Sequence, residues 1–159
     1  MKKFIVLSAL VLIIAACGGG GGESSNADST AAEGGQTTEE GNPSYDPKRG
    51  EGKFENVEVS PTLDKALAEK GQKVADLKCT SCHKLTDERL VGPGWAGVTK
   101  RHTPEWIMNF MTNTDAMIDK DPKVQAMLEI CMVRMPNQNL SDDDARSVYE
   151  YMREVDGVK

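Results

Sequence analysis

The chain predicts an all-α domain behind a targeting segment and a tether, and three observations predict it. Helix-start signals recur four times from residue 60 onward, and an amphipathic run follows each of them. Strand signals are confined to Glu55-Asn56-Val57-Glu58-Val59. No internal repeat interrupts this pattern.

Residues 1–16 read as an export signal. Lys2 and Lys3 form a positive start, Phe4 to Ile14 an apolar core, and Ala15-Ala16 the small residues before a cysteine. The apolar run is shorter than the roughly 20 residues a spanning helix needs. Ile14-Ala15-Ala16-Cys17 resembles a bacterial lipobox, in which Cys17 is lipidated and becomes the new N-terminus. The plainer alternative is an ordinary signal cut nearby, leaving a free thiol.

Residues 17–52 then form the lipidated cysteine and a linker of Gly, Ser, Thr, Asn and Glu with almost nothing apolar. Such composition cannot offset the entropy of ordering, so a flexible tether is expected, its ends roughly 30–35 Å apart. Its acids (Glu23, Asp28, Glu33, Glu39, Glu40, Asp46, Glu51) outnumber Lys48 and Arg49 and account for most of the chain's net charge of −6. No basic patch with interleaved aromatics is present, which argues against nucleic acid as a partner.

Residues 53–159 make one small domain. Ser60-Pro61, Thr103-Pro104 and Asp121-Pro122 each place a capping residue before proline at the first helical position. Ser141-Asp142-Asp143-Asp144 resembles a capping box with acids in the first turn. The first helix, about 61–79, carries Leu63, Leu67, Val74 and Leu77 and delivers Cys79 at its end. The second, about 104–112, carries Trp106, Ile107, Phe110 and Met111. The third, about 122–131, places Val124, Met127, Leu128 and Cys131 on one face, and the fourth, about 142–155, carries Ala145, Val148, Met152 and Val155. Four short helices make a thin core.

What completes that core is spelled by Cys79-Thr80-Ser81-Cys82-His83, the C-x-x-C-H signature of covalent c-type haem attachment. Two thiols add across the haem vinyl groups and the neighbouring imidazole ligates the iron. A thioredoxin-like dithiol needs a βαβ context that is missing here. A zinc site drawing on Cys79, Cys82, His83 and Cys131 would need a second close pair of ligands, which the sequence lacks. A haem fixed by two bonds and an iron ligand supplies the apolar bulk that so small an exported domain otherwise takes from disulfides.

The sixth iron position decides the function, because methionine there raises the potential and leaves no vacancy for substrate. Met135-Pro136 sits in a polar, extended stretch between two helices, free to lean over the haem. Met132 is the runner-up, Met117 lies in a loop without such flanking, and Met108, Met111, Met127 and Met152 fall on helical apolar faces. His102 could ligate iron in a bis-His haem, but it follows Lys100-Arg101 just before a helix cap, which reads as a solvated turn. Cys131 reads as a buried, inert thiol.

The run Lys70-Gly71, Cys79 to His83, Val91-Gly92-Pro93, Met135-Pro136, Leu140-Ser141-Asp142 and Tyr151-Met152 resembles the bacterial class I mono-haem c-type cytochromes across nearly the whole domain. The resemblance implies a small cytochrome c fold and one covalent haem c with His83 and Met135 as iron ligands. It also implies that the Pro93 carbonyl holds His83 Nδ1. Gly71 would let the first helix cross the last against an aromatic, Tyr151, and either Trp95 or Trp106 would reach a haem propionate or simply pack.

No Ser-His-Asp set, phosphate loop or paired acid–base constellation accompanies the motif, so an enzyme is not expected. The reading is a monomeric, lipid-anchored periplasmic electron shuttle between a quinol-oxidising complex and a terminal oxidase or reductase, nitrous oxide reductase being one candidate. The alternatives are a ligand-binding or peroxidatic haem protein with an open sixth position, and a structural zinc lipoprotein.

Overall fold

The computed structural model describes residues 44–159, so the expected signal segment, Cys17 and the tether up to residue 43 lie outside the described residues. Six helices follow one another: α1 (Lys65–Lys78), α2 (Val98–Arg101), α3 (Pro104–Thr112), α4 (Thr114–Lys120), α5 (Pro122–Cys131) and α6 (Asp142–Val155). Three of the four expected starts hold. Thr103 Oγ1 accepts from the Trp106 amide, the Asp121 carboxylate from those of Lys123 and Val124, and Ser141 Oγ from that of Asp144. Each cap satisfies amides that the first helical turn leaves unpaired.

The fourth start is corrected. The first helix begins at Lys65, with Asp64 as its cap, while Ser60-Pro61 forms a bend. The physical reason lies in α6. Arg153 Nη2 donates to the Ser60 carbonyl at 2.6 Å, and the Asp64 amide donates to Glu150 Oε1 at 2.9 Å. These partners draw the polar groups of 60–64 away from helix formation. Buried Glu150 is itself paired with Arg153 at 2.6 Å and Arg146 at 2.8 Å.

Residues 55–59 form no strand. Two helices carry no start signal in the sequence, and the causes are simple: α2 is one turn long, and α4 has Asn113 as its N-cap without a side-chain hydrogen bond.

α1 packs on α6 through small residues. Ala68, Gly71 and Ala75 are its buried positions, whereas Leu77, expected in the core, is 85% exposed. At the crossing a Cβ on Gly71 would lie 1.9 Å from the Ser147 carbonyl oxygen. Glycine is therefore required, but its close neighbour is the α6 backbone at Ser147 and not the Tyr151 ring. α6 buries Ala145, Val148, Tyr149, Tyr151 and Met152 against α1 and α3.

The fold also reaches back past residue 53. Residues 45–52 lie along α3, α4 and the start of α5: Tyr45 donates its hydroxyl to Asp121, Asn109 Nδ2 donates to the Arg49 carbonyl, and Asn113 Nδ2 to that of Glu51. Gly50, with φ 72°, lets the strap turn tightly over Met117.

Candidate functional site

α1 ends by feeding Cys79 into a turn. The amides of Cys82 and His83 both donate to the Cys79 carbonyl at 3.0 Å, which gathers two sulfurs and one imidazole within five residues. The Val91 and Gly92 amides fold the following loop back onto the Cys82 carbonyl, at 3.2 and 2.9 Å. That fold-back sets Pro93 beside the histidine, whose Nδ1 lies 2.8 Å from the Pro93 carbonyl. With Nδ1 donating, Nε2 carries the free lone pair a metal would take.

Glycine at 92 is what admits the imidazole, because a Cβ there would come within 2.4 Å of His83 Cε1. Trp95 flanks the same ring, centroid to centroid 5.9 Å, and Tyr151 meets Trp95 edge-on at 6.5 Å.

Cys79, Cys82, His83 and Met135 line one cavity of ≈ 350 Å³ between α1, α3 and the 135–140 segment. Its size falls in the range of cofactor sites and its walls are predominantly apolar. These donors fit a haem: Cys79 and Cys82 would hold its vinyl carbons as thioethers, and His83 and Met135 would supply ligands to its iron. Burial, reinforced by Cys82 and opposed by Lys78, pushes the Cys79 thiol up to about 11. Among the described residues no three His, Cys, Asp or Glu side chains gather as a metal site, so the zinc alternative lacks its ligands there.

The other methionines separate by position. Met132, the runner-up, is the left-handed C-cap of α5 and 84% exposed. Met117 is fully buried against Gly50. Met111, Met127 and Met152 do line the cavity, each from a helix, and Met108 belongs to the core.

Two expectations are corrected. Cys131 is only half-buried and lines an adjoining cavity with Cys82, His83 and Met135, because α5 turns its Val124–Cys131 face toward the site. His102 is no solvated turn. Its ring stacks on Trp106 at 3.9 Å and 14°, it lines the main cavity, and its Nδ1 is buried without a partner. Burial, with Lys123 and Arg101 adding and Asp121 opposing, holds its pKa below the ordinary histidine value. The ring is therefore neutral near pH 7, a polar group on a mostly apolar wall that also carries Lys78, Arg101 and Gln138. The four-residue spacing from His102 to Trp106 is the signal that could have found it. Trp106 has its indole N–H committed to Asp121 at 2.6 Å, which leaves Trp95 as the tryptophan facing the imidazole.

The family model for cytochrome c matches residues 68–156, more than half the chain. The chain is similar to a solved cytochrome c from Rhodothermus marinus, 37% identical over 66% of this chain and 90% of that one, with a TM-score of 0.64. It is also similar to an engineered form of that protein, 36% identical over the same shares, with a TM-score of 0.63. No curated protein matches the chain.

Proposed function

The chain belongs to the cytochrome c family, with a covalently bound haem c that serves electron transfer, and we propose that it works as a membrane-tethered, non-enzymatic one-electron carrier with saturated iron. The haem supplies a one-electron ferric/ferrous couple. The protein's residues do the rest. Cys79 and Cys82 hold the macrocycle, Pro93 and Gly92 fix the imidazole of His83, and Met135 brings a soft thioether that favours the ferrous state. Apolar walls from α3 and α6 exclude water and limit reorganisation when charge changes.

The observation that carries this reading is the convergence of Cys79, Cys82, His83 and Met135 on one cavity. Exposed Leu77, Val91 and Val133 rim the two cavities that meet there, apolar edges suited to a brief docking contact. The signal-like residues 1–16 and the lipobox-like Cys17 support a lipid anchor and a periplasmic domain; among the described residues no helix is long and apolar enough to cross a membrane. Electrons would come from a quinol-oxidising complex and leave to a terminal oxidase or reductase, with nitrous oxide reductase as one candidate acceptor.

The test is Met135→Ala, produced with haem-maturation machinery. The variant is expected to lose the weak far-red absorption of a sulfur–ferric iron bond, to drop in potential, and to bind carbon monoxide when reduced. An unchanged spectrum, potential and carbon monoxide inertness would remove Met135 from the iron.

A further inference from the structure

The stretch that carries Met135 is held in an unusual way. From residue 133 to 140 it has no regular structure, and no main-chain hydrogen bond joins it to another segment among the described residues. Its hydrogen bonds through Gln138 Nε2 and the Asn139 amide stay within the stretch. Beyond the apolar contacts of Met135, Pro136 and Leu140, cationic side chains hold it. Arg134 pairs with Asp115 and Asp119 of α4. Lys78 Nζ donates to the Gln138 carbonyl at 2.9 Å within the stretch, and Arg89 Nη1 donates at 2.6 Å to the Ile130 carbonyl in the last turn of α5, from which the stretch departs.

The last two ties share a property that Arg134 lacks. Lys78 immediately precedes Cys79, and Arg89 stands in the loop that folds back on Cys82 and forms a β-bridge with His83. Both donors are therefore built on the segment that grips the haem. Both acceptors flank Met135, five residues before it and three after it.

We propose that Lys78 and Arg89 are positioning residues that clamp the Met135 segment to the haem-attachment segment and so set how readily the sixth ligand leaves. The proposal rests on Met135 being that ligand. A ligand on a segment without backbone ties departs whenever the segment swings open; the Lys78–Gln138 bond must break for that to happen, and the Arg89–Ile130 bond fixes the end of α5 about which the segment would swing. Opening by this route is local and leaves α1, α3 and α6 packed. The clamp is also selective in chemistry: the acceptors are carbonyls, so the donor must be a long side chain with N–H groups, and either lysine or arginine suffices.

The experiment uses the haem-loaded protein and free imidazole as a competitor for ferric iron. The variants are Lys78→Met, Arg89→Met and their combination, with Lys78→Arg and Arg89→Lys as conservative replacements and Met135→Ala as the reference for an open site. Each methionine variant is expected to bind imidazole about threefold more tightly, and the double variant about tenfold, equivalent to about 1.4 kcal/mol. The conservative variants are expected to stay near wild type, and all of these surface variants to keep the wild-type unfolding midpoint within a few degrees. Wild-type imidazole affinity in the double variant would overturn the clamp, as would conservative variants that bind imidazole as tightly as the methionine ones. If Met135→Ala itself leaves imidazole affinity and the far-red band unchanged, the ligand assignment fails and the clamp falls with it.

Discussion

Replacing Gly92 by alanine tests the proximal side of the site with a single methyl group. The glycine is not among those with positive φ, so alanine adds no backbone strain and acts by its volume alone. Its Cβ would come 2.4 Å from His83 Cε1 and 2.9 Å from each ring nitrogen, about 1 Å and about 0.5 Å inside the ordinary contact distance of 3.4 Å. The imidazole has little room to retreat, since Pro93 holds Nδ1 at 2.8 Å and Trp95 stands beside the ring. Overpacking of this kind costs about 1–3 kcal/mol, and turning the ring off Pro93 adds about 1 kcal/mol. A loss of about 2–4 kcal/mol is expected, read from denaturant unfolding of the haem-loaded protein followed through haem absorbance and far-ultraviolet circular dichroism. The reduction potential should shift too, because the ligand's hydrogen bond tunes its donor strength. A stability change below about 0.5 kcal/mol together with an unmoved potential would refute the tight proximal packing.

Two further outcomes follow from the packing around Gly71 and His102. Gly71→Ala should destabilise by up to about 2 kcal/mol, an overpacking cost of about 3 kcal/mol at the upper end less about 1 kcal/mol of helix propensity, because its methyl meets the Ser147 backbone at 1.9 Å, where no rotamer can give way; a more stable variant in thermal melts would contradict the close crossing. His102→Phe should flatten part of the acid sensitivity. The folded-state pKa of His102 is depressed, so the unfolded chain takes up a proton first. Its stabilising share is complete above about pH 6.5 and fades as pH falls from there through the folded value. Wild type and variant compared by denaturant melts between about pH 7.5 and 5 should diverge in that sense, and parallel curves would contradict it.

The sequence was most readable where local chemistry acts alone. Caps at Thr103, Asp121 and Ser141 need only neighbouring amides, and three helix starts were legible for that reason. The haem motif is legible because two thiols and an imidazole must stay close in the chain. Ser60-Pro61 misled because its competitors, Arg153 and Glu150, lie some ninety residues away. α1 misled in another way: its buried stripe is Ala68, Gly71 and Ala75, small residues chosen for close approach, while Leu77 faces outward. The strap at 45–52 looked like linker because its hold is polar and each bond depends on a distant partner such as Asn109 or Asp121. His102 differs, since its partner Trp106 stands only four residues on; the Lys100-Arg101 pair before it reads as solvated turn, and the stacking runs across the start of α3 at Thr103-Pro104.

Asp121 ties three parts of the fold to one side chain. One buried carboxylate takes donors from Tyr45, from the Trp106 indole and from two amides of α5, so the strap, the floor under His102 and a helix origin share a single keystone. That corner of the molecule cannot loosen piecemeal. Where Tyr45 lets go, the other three donors inherit a charge with one hydrogen bond fewer, and strap, indole and helix start yield or hold together as one cooperative unit.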